Sequence, residues 1–401
     1  MPKLEKFEHT SRHRSPDLPL QVVGASTAGL FTAFLLAREN VPVDVLETSP
    51  QLAPLPRTLI VTHKMRQLLG PLAEPCIANE ISKFELYTDG RSAEVHLEQP
   101  DLVIERATLI RTLSKAAERA GANIHFGRRF QSLSANGSQI TLHCQRVEDR
   151  TPEQRKTSVV VGGDGATSRV ARAAGWPAQV TVPLIQAIVN LPSDMSPNTV
   201  RVWFVPNDTP YFYWLIPRSS TEGVLGLIGE AGTETRTILE CFLTKKALLP
   251  IRFEAARIPV YTGWVDVERH LDGGRVFLVG DAAGQVKVTT VGGIVTGLRG
   301  ALGVAESILR GHEAPELRSL RRELNAHFWL RQSLHRFAQS DYSRLVDLLN
   351  APGLRTLGRH TRDEALSVLW RLCGSEPRLV LLGLRGLLMR NKFGRGADQN
   401  S

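Results

Sequence analysis

Cysteine is scarce in this chain. Cys76, Cys144, Cys241 and Cys373 are the only four in 401 residues, and no two form a Cys-x-x-Cys pair. A disulfide framework is therefore not expected, and a reducing compartment, the cytoplasm, is. The eleven histidines show no metal-ligand spacing, so no metal site is expected. Internal repeats and low-complexity segments are missing. So are aromatic-interleaved basic grooves, which leaves no footing for a nucleic-acid partner. One run, Leu18 to Ala37, carries no charge and is long enough to suggest a membrane span. Pro19, Gly24, Ser26, Thr27 and Gly29 interrupt it, and no small-residue cleavage site for a secretory signal is evident. A buried strand, a tight turn and a buried helix explain it better.

What is present fits a globular protein. Hydrophobic residues make up 42% and charged residues 22% of the chain, and its length allows two or three domains. The net charge is +9, concentrated late: Arg299 to Ser401 holds 17 Lys or Arg against 10 Asp or Glu. That last quarter is a basic module, open to nucleic acid, to an anionic membrane surface or to no partner in particular. Residues 1–17 read as a loose polar tail.

Leu20 to Val23 reads as a strand, Ala28 to Arg38 as a helix and Val43 to Leu46 as the next strand. Arg57 to Gly70 carries a helical pattern built on Leu59, Met65, Leu68 and Leu69. Phe84–Tyr87 and Ala93–Leu97 read as a hairpin. Ala107 to Ala120 is a helix closed by Gly121, and 180–229 is rich in strand formers. Beyond Ile294 the pattern is helical. The expected architecture is α/β with mixed α+β character: a Rossmann-like dinucleotide domain in the pieces 18–65, 98–178 and 268–312, a mostly β substrate-side domain inserted at 66–97 and 181–267, and a helical cap over 313–395.

Three glycine-bearing loops, each after an apolar strand and before a helix, carry the chemistry. The first is Gly24-Ala25-Ser26-Thr27-Ala28-Gly29. Its first glycine permits a tight turn, the small Ser26 lets a pyrophosphate approach the backbone, and Gly29 lets helix and strand pack closely. The helix start then offers unpaired N–H groups to phosphate. Glu47, 23 positions after Gly24, ends the next strand, where a carboxylate accepts from an adenosine ribose. The second loop is Gly162-Gly163-Asp164-Gly165-Ala166-Thr167-Ser168. Asp164 either contacts a ligand or caps the helix from Ser168. The third, Gly280-Asp281-Ala282-Ala283-Gly284, puts Asp281 at a strand end, within reach of ribityl or ribose hydroxyls. Gly292-Gly293-Ile294 then opens a long helix whose positive end would stabilise negative charge on a reduced isoalloxazine. Arg106, at a helix start where its charge opposes the dipole, gains from an anionic partner, and Arg57 is a weaker candidate of the same kind. Three such loops in this order point to one large cofactor, flavin adenine dinucleotide (FAD), threading the fold.

The three motifs, with Arg106 between the first two, resemble the para-hydroxybenzoate hydroxylase-type flavoprotein superfamily. Within it, Gly280-Asp281-Ala282-Ala283-Gly284-Gln285-Val286-Lys287 followed by Thr289-Thr290-x-Gly292-Gly293-Ile294 looks most like the geranylgeranyl reductase branch, as does Tyr211-Phe212-Tyr213-Trp214-Leu215-Ile216-Pro217. The resemblance implies that Gly24, Ser26, Gly29 and Glu47 form the adenosine diphosphate site and that Arg106, Asp164 and Asp281 contact flavin. It also implies that Gly292, Gly293 and Ile294 lie beside the ring and that Tyr213 and Trp214 wall the pocket next to it. The chain departs from the pattern at Val288, where the family has proline, and at Val291, where it has glycine. Leu55-Pro56-Arg57 stands where many such reductases carry Cys-Gly-Gly. These departures touch the ring face and bear on substrate and reaction.

The expected activity is an FAD-dependent reduction of carbon–carbon double bonds in an isoprenoid-like or other apolar substrate. Tyr213 is the one candidate for the proton donor, and Tyr211, Tyr213 and Trp214 are candidate substrate contacts. Their spacing puts Tyr211 and Tyr213 on one strand face and Trp214 on the other. A flavin monooxygenase is the alternative. A halogenase, suggested by similarity to that class's Trp-x-Trp-x-Ile-Pro motif, would have Phe212 in place of the first Trp and Lys83 as its lysine; Lys83 reads more simply as a solvated side chain. A flavin-bound scaffold without turnover is the reading from another class. No second Gly-x-Gly-x-x-Gly offers a nicotinamide domain, so NAD(P)H is expected to dock transiently at the flavin, or another protein to supply the electrons. Arg378 to Arg390, an apolar face mixed with arginines, either lies on an anionic membrane or packs on its own domain.

Overall fold

The computed structural model describes residues 18–137, 139–272, 274–349, 361–364 and 377–388. The N-terminal tail of 1–17 lies outside them.

The chain's first charge-free run builds the centre of a six-stranded sheet. Strand β1 (Leu20–Val23) is buried throughout and lies between β2 (Val43–Leu46) and β10 (Val159–Gly162), parallel to both. Strands β6 (Asn123–His125) and β17 (Gly274–Leu278) extend the parallel order, and β16 (Glu268–Leu271) closes it antiparallel. Helix α1 (Thr27–Arg38) is buried from Thr27 to Ala37. A helix covered on every side has no polar stripe, which is why this segment looked long enough for a membrane. It packs between α3 (Arg106–Arg119) and α6 (Ile294–Arg310). No helix among the described residues is long and apolar enough to cross a membrane.

The second sheet has eight strands in the order β15-β11-β14-β13-β12-β4-β5-β3. These are β3 (Thr58–Val61), β4 (Ile77–Thr88), β5 (Arg91–Glu105), β11 (Thr181–Asn190), β12 (Thr199–Trp203), β13 (Tyr213–Pro217), β14 (Glu222–Ile228) and β15 (Pro250–Pro259). Pairing is antiparallel except between β4 and β12. Its members cross the division expected at residues 65 and 98. β3 pairs with Leu102–Glu105, so Thr58 to Val61 is strand and only α2 (Lys64–Leu69) is helix in the stretch read as helical from Arg57 to Gly70. The β-branched Thr58, Ile60 and Val61 follow their cross-strand partners rather than the local period. A meander of β7 (Arg128–Asn136), β8 (Gln139–Arg146) and β9 (Pro152–Thr157) lies beside the first sheet. It buries Phe130, Ile140, Leu142 and Cys144 in the same core.

Short α4 (Arg169–Ala173) follows the second glycine loop, and α5 (Thr235–Lys245) covers one face of the eight-stranded sheet. The chain then continues into α7 (Pro315–Leu334), α8 (Gln339–Leu349) and α9 (Pro377–Leu388). Among the described residues, the helical cap expected over 313–395 is these three helices.

Candidate active site

The three glycine loops meet at the start of α1. Gly24 has φ +100°, and a Cβ on it would lie 2.6 Å from the Gly163 carbonyl oxygen. A Cβ on Gly29 would lie 2.3 Å from the Gly24 oxygen, and one on Gly280 2.8 Å from the Ala28 Cβ. Contacts this close leave no room for a side chain, so Gly24 is required by the second loop, Gly29 by the turn at Gly24, and Gly280 by Ala28 of α1. Ser26 caps α1 by accepting from the Gly29 N–H at 3.1 Å. Glu47 accepts from the Ala25 N–H at 2.9 Å and the Ser49 N–H at 2.8 Å. It thus pins the first loop, and its remaining lone pairs stay available to a hydroxyl.

Along these loops runs a cavity of about 560 Å³ lined by Ser26, Thr27, Ala28, Gly163, Gly280 and Asp281. Gly292, Gly293 and Ile294 at the start of α6 line it too, as do Arg57 and Arg106. The two arginines are neighbours because β3 pairs with β5: the Arg106 N–H donates to the Arg57 carbonyl at 3.0 Å. Burial lowers both guanidinium pKa values, and Arg106 lowers that of Arg57 further. Burial raises the Asp281 pKa, while Arg57 and Arg106 oppose that rise. Arg57, Arg106 and Asp281 thus share this stretch of the cavity lining, with Glu105 and Glu254 acting on the arginines from outside the lining, and the Arg57 Nε is buried without a hydrogen-bond partner. Two cavity-lining arginines, an unsatisfied buried donor, a helix N-terminus and a glycine cradle are what a dinucleotide pyrophosphate requires, so the residues fit FAD.

Asp164 is held differently. Its carboxylate accepts from the Ser168 hydroxyl at 2.5 Å and from the Arg169 and Val170 N–H groups at 2.7 and 3.2 Å. It caps the turn into α4, and Gly163 and Gly165 on either side of it are the residues that line the cavity.

The opposite wall is one face of the eight-stranded sheet. Phe84, Val202, Phe212, Trp214, Ile216 and Ile228 project from it into the cavity. Trp214 fits because Gly226 lies across from it: a Cβ there would meet the indole Cζ2 at 2.6 Å. The indole Nε1 is buried without a partner. Tyr213 points the other way. Its ring stacks on Phe242 of α5 at 3.7 Å, and its hydroxyl donates to Asp208 at 2.9 Å. As a candidate proton donor it is misplaced, because alternation along β13 sends it behind the sheet. Tyr211 is buried under Arg331, whose guanidinium lies 4.0 Å from its ring centroid, and it does not line the cavity. Because Tyr211 precedes β13, the alternation expected to put it beside Tyr213 does not extend to it. Lys83, the lysine of the halogenase reading, pairs with Glu85 at 2.9 Å and Glu94 at 3.2 Å and does not line the cavity.

The polar end of the cavity holds residues that sequence reasoning did not single out for the site. His327 of α7 is buried, with Nδ1 2.8 Å from the Thr289 hydroxyl, and both residues line the cavity with Thr290. Lys287, next to this loop, is buried in an ion pair with Asp363, which also accepts from Thr62. Burial works against the Asp363 charge, yet Lys287 and Thr62 outweigh it and hold that carboxyl well below the usual range. Arg362, also on the cavity, pairs with Asp101 at 2.5 Å. A lone histidine on an amphipathic helix gives no signal of such a place. No cluster of metal-ligating side chains occurs among the described residues.

Over residues 17–317 the chain matches the family described as FAD binding domain. It is 26% identical over 360 residues to a digeranylgeranylglycerophospholipid reductase of Methanothrix thermoacetophila, covering 81% of this chain and 89% of that one. It is also 26% identical to digeranylgeranylglycerophospholipid reductase 2 of Methanothermobacter thermautotrophicus, covering 68% and 73%. Its fold is like that of a geranylgeranyl bacteriochlorophyll reductase-like protein of Thermoplasma acidophilum, with a TM-score of 0.75 at 17% identity over 92% of this chain and 98% of that one. It is also like p-nitrophenol 4-monooxygenase of Pseudomonas putida, with a TM-score of 0.61 at 14% identity over 93% and 99%. Converging glycine loops, paired cavity-lining arginines and the family match lead to one identification: the chain belongs to the FAD binding domain family and is an FAD-dependent oxidoreductase.

Proposed function

We propose that the enzyme reduces carbon–carbon double bonds of an isoprenoid-like or other apolar, lipid-like substrate. The observation that carries this reading is the aromatic and aliphatic wall of the eight-stranded sheet, standing across the cavity from Gly292, Gly293 and Ile294. Such a largely apolar wall excludes water and suits an apolar chain. The curated relatives being named lipid reductases adds to it. FAD, when bound, would supply the hydride. Ser26, Thr27 and Ala28 would hold its pyrophosphate at the start of α1 with Arg106 and Arg57, Glu47 would take the adenosine ribose, and Asp281 would take ribityl hydroxyls. The N-terminus of α6 would face the ring, and Trp214 would wall the substrate beside it. With Tyr213 behind the sheet, the proton for the second carbon would enter at the polar end, where Thr289, Thr290 and His327 stand. NAD(P)H would dock transiently to load the electrons, in a cytoplasmic enzyme that meets its lipid at a membrane.

The test is anaerobic reduction by NADPH or NADH, followed by a panel of isoprenoid lipids with and without oxygen. A saturated product formed without oxygen supports the proposal. An oxygenated product that requires oxygen replaces it with the monooxygenase reading, and a yellow protein inert towards the panel leaves a flavin-bound scaffold.

A further inference from the structure

The outer surface of the C-terminal helices combines two features that seldom occur together on a surface facing only water. Trp329 of α7 is 61% exposed, and Leu381 and Leu384 of α9 are 64% and 48% exposed. Every exposed charged side chain on these two helices is an arginine: Arg318, Arg321 and Arg322 on α7, Arg378 and Arg385 on α9. The helices are in contact, because the Ser333 hydroxyl donates to the Gly383 carbonyl at 2.7 Å. Trp329 stands one turn before Ser333 and Leu384 one position after Gly383, so these two lie next to the contact between the helices. On α7, Leu330 and Leu334 turn inward and line the cavity. That helix therefore separates the apolar cavity from the apolar, cationic surface.

We infer that this α7–α9 face docks on the headgroup region of an anionic lipid bilayer. Tryptophan and leucine would enter the interface while the arginines meet anionic headgroups. Charge selects this occupant. Arg318 already pairs with Glu313 at 3.6 Å and Arg385 with Asp341 at 3.8 Å; even so, a symmetric dimer through the same face would set each copy's arginines against the other's, whereas an anionic membrane offers them counter-charge. The inference rests on the proposed lipid-like substrate for its purpose, but not for its test.

The test is co-sedimentation of the full-length, FAD-loaded enzyme with vesicles of phosphatidylglycerol and phosphatidylcholine, without reductant or substrate. Binding to the mixed vesicles, loss of binding on pure phosphatidylcholine and weakening with added salt are expected. Trp329→Ser with Leu384→Ser should weaken binding on the order of tenfold, and Arg318→Glu with Arg322→Glu by at least about thirtyfold. Melting temperature and flavin spectrum should stay unchanged. The control is Leu249→Ser, at an exposed leucine beside Lys245 and Lys246 at the α5 end, behind the sheet from the cavity; it should bind as the parent does. An enzyme that stays in the supernatant, binds phosphatidylcholine equally well, or loses as much from Leu249→Ser overturns the inference. So does a sedimentation shift showing that Trp329→Ser splits a dimer. Vesicle binding without alkene reduction would sink the proposed reaction and leave the docking face standing.

Discussion

His327→Asn should reshape the acid limb of the stability curve. His327 is 3% exposed. Lys287, Arg299, Lys64 and Asp363 act on it electrostatically, and Glu323 Oε1 stands 3.9 Å from its Nε2. Burial first, then the Lys287 charge, pulls its pKa from 6.5 to about 3. The folded state thus keeps the ring neutral where the unfolded chain would protonate it. Between those two values the unfolded state binds more protons, so stability falls as pH drops through 6.5 and this contribution levels off near 3. Above 6.5 the residue adds no pH dependence. Each pH unit inside the window is worth about 1.4 kcal/mol, so at pH 5 the wild type carries a penalty on the order of 2 kcal/mol that the asparagine variant lacks. Urea unfolding followed by tryptophan fluorescence, at fixed FAD concentration, measures it at pH 7 and pH 5. The stability gap between wild type and variant should move by about 2 kcal/mol in the variant's favour on acidification. A gap that stays the same at both pH values would refute the reasoning, because it would mean that the ring protonates alike in both states.

Three other substitutions follow from the same geometry. Gly24→Ala adds a Cβ 2.6 Å from the Gly163 oxygen at a φ of +100°, so the purified protein should be colourless and regain no flavin absorbance when incubated with FAD. Gly226→Ala forces Trp214 off its rotamer, with an expected loss of about 1–3 kcal/mol in unfolding free energy and a changed tryptophan emission; an unaltered emission would show that the indole does not rest there. Lys287→Met strands a buried carboxylate at Asp363 and should destabilise by about 3–5 kcal/mol, while adding Asp363→Leu should recover most of that loss, as a double-mutant cycle would reveal.

The parts legible in the sequence were those whose chemistry is local. Gly24 and Gly29 are dictated by a turn and a close approach six residues long, and Glu47 follows one strand later, so the first loop announced itself. Three such loops implied convergence before any contact was visible, and they do meet at the start of α1, Gly24 against Gly163 and Gly280 against Ala28. Strand β3 was misread because Thr58 to Val61 takes its conformation from Leu102 to Glu105, more than forty positions away. Alternation told that Tyr213 and Trp214 lie on opposite faces, yet not which face is the cavity. Both faces are buried, one against the glycine loops and one against α5, so hydrophobicity carries no sign. The cluster of Lys287, His327 and Asp363 joins a loop, a helix and a distant segment across 38 to 76 positions, and no periodicity encodes that.

The loop from Lys287 to Gly292 shows how that invisible cluster matters. Val291 sits at φ +49°, a conformation that β-branched residues avoid. Such strain, on the order of 1–3 kcal/mol, persists only where the surroundings over-determine the backbone. Here they do. The Lys287 N–H donates to the Gly292 carbonyl at 3.1 Å, closing the loop on itself. The Lys287 side chain is tied to Asp363, Thr289 is tied to His327, and the Thr296 hydroxyl donates to the Gln285 carbonyl at 2.5 Å just behind. Each anchor comes from a different direction, so no single torsion can relax the turn without breaking a buried polar contact. The strain is therefore retained at the one place where Thr289, Thr290, Val291 and Gly292 all face the cavity. A loop held this firmly fixes the shape of the cavity opposite the aromatic wall before any substrate enters, and ordering it need not draw on binding energy.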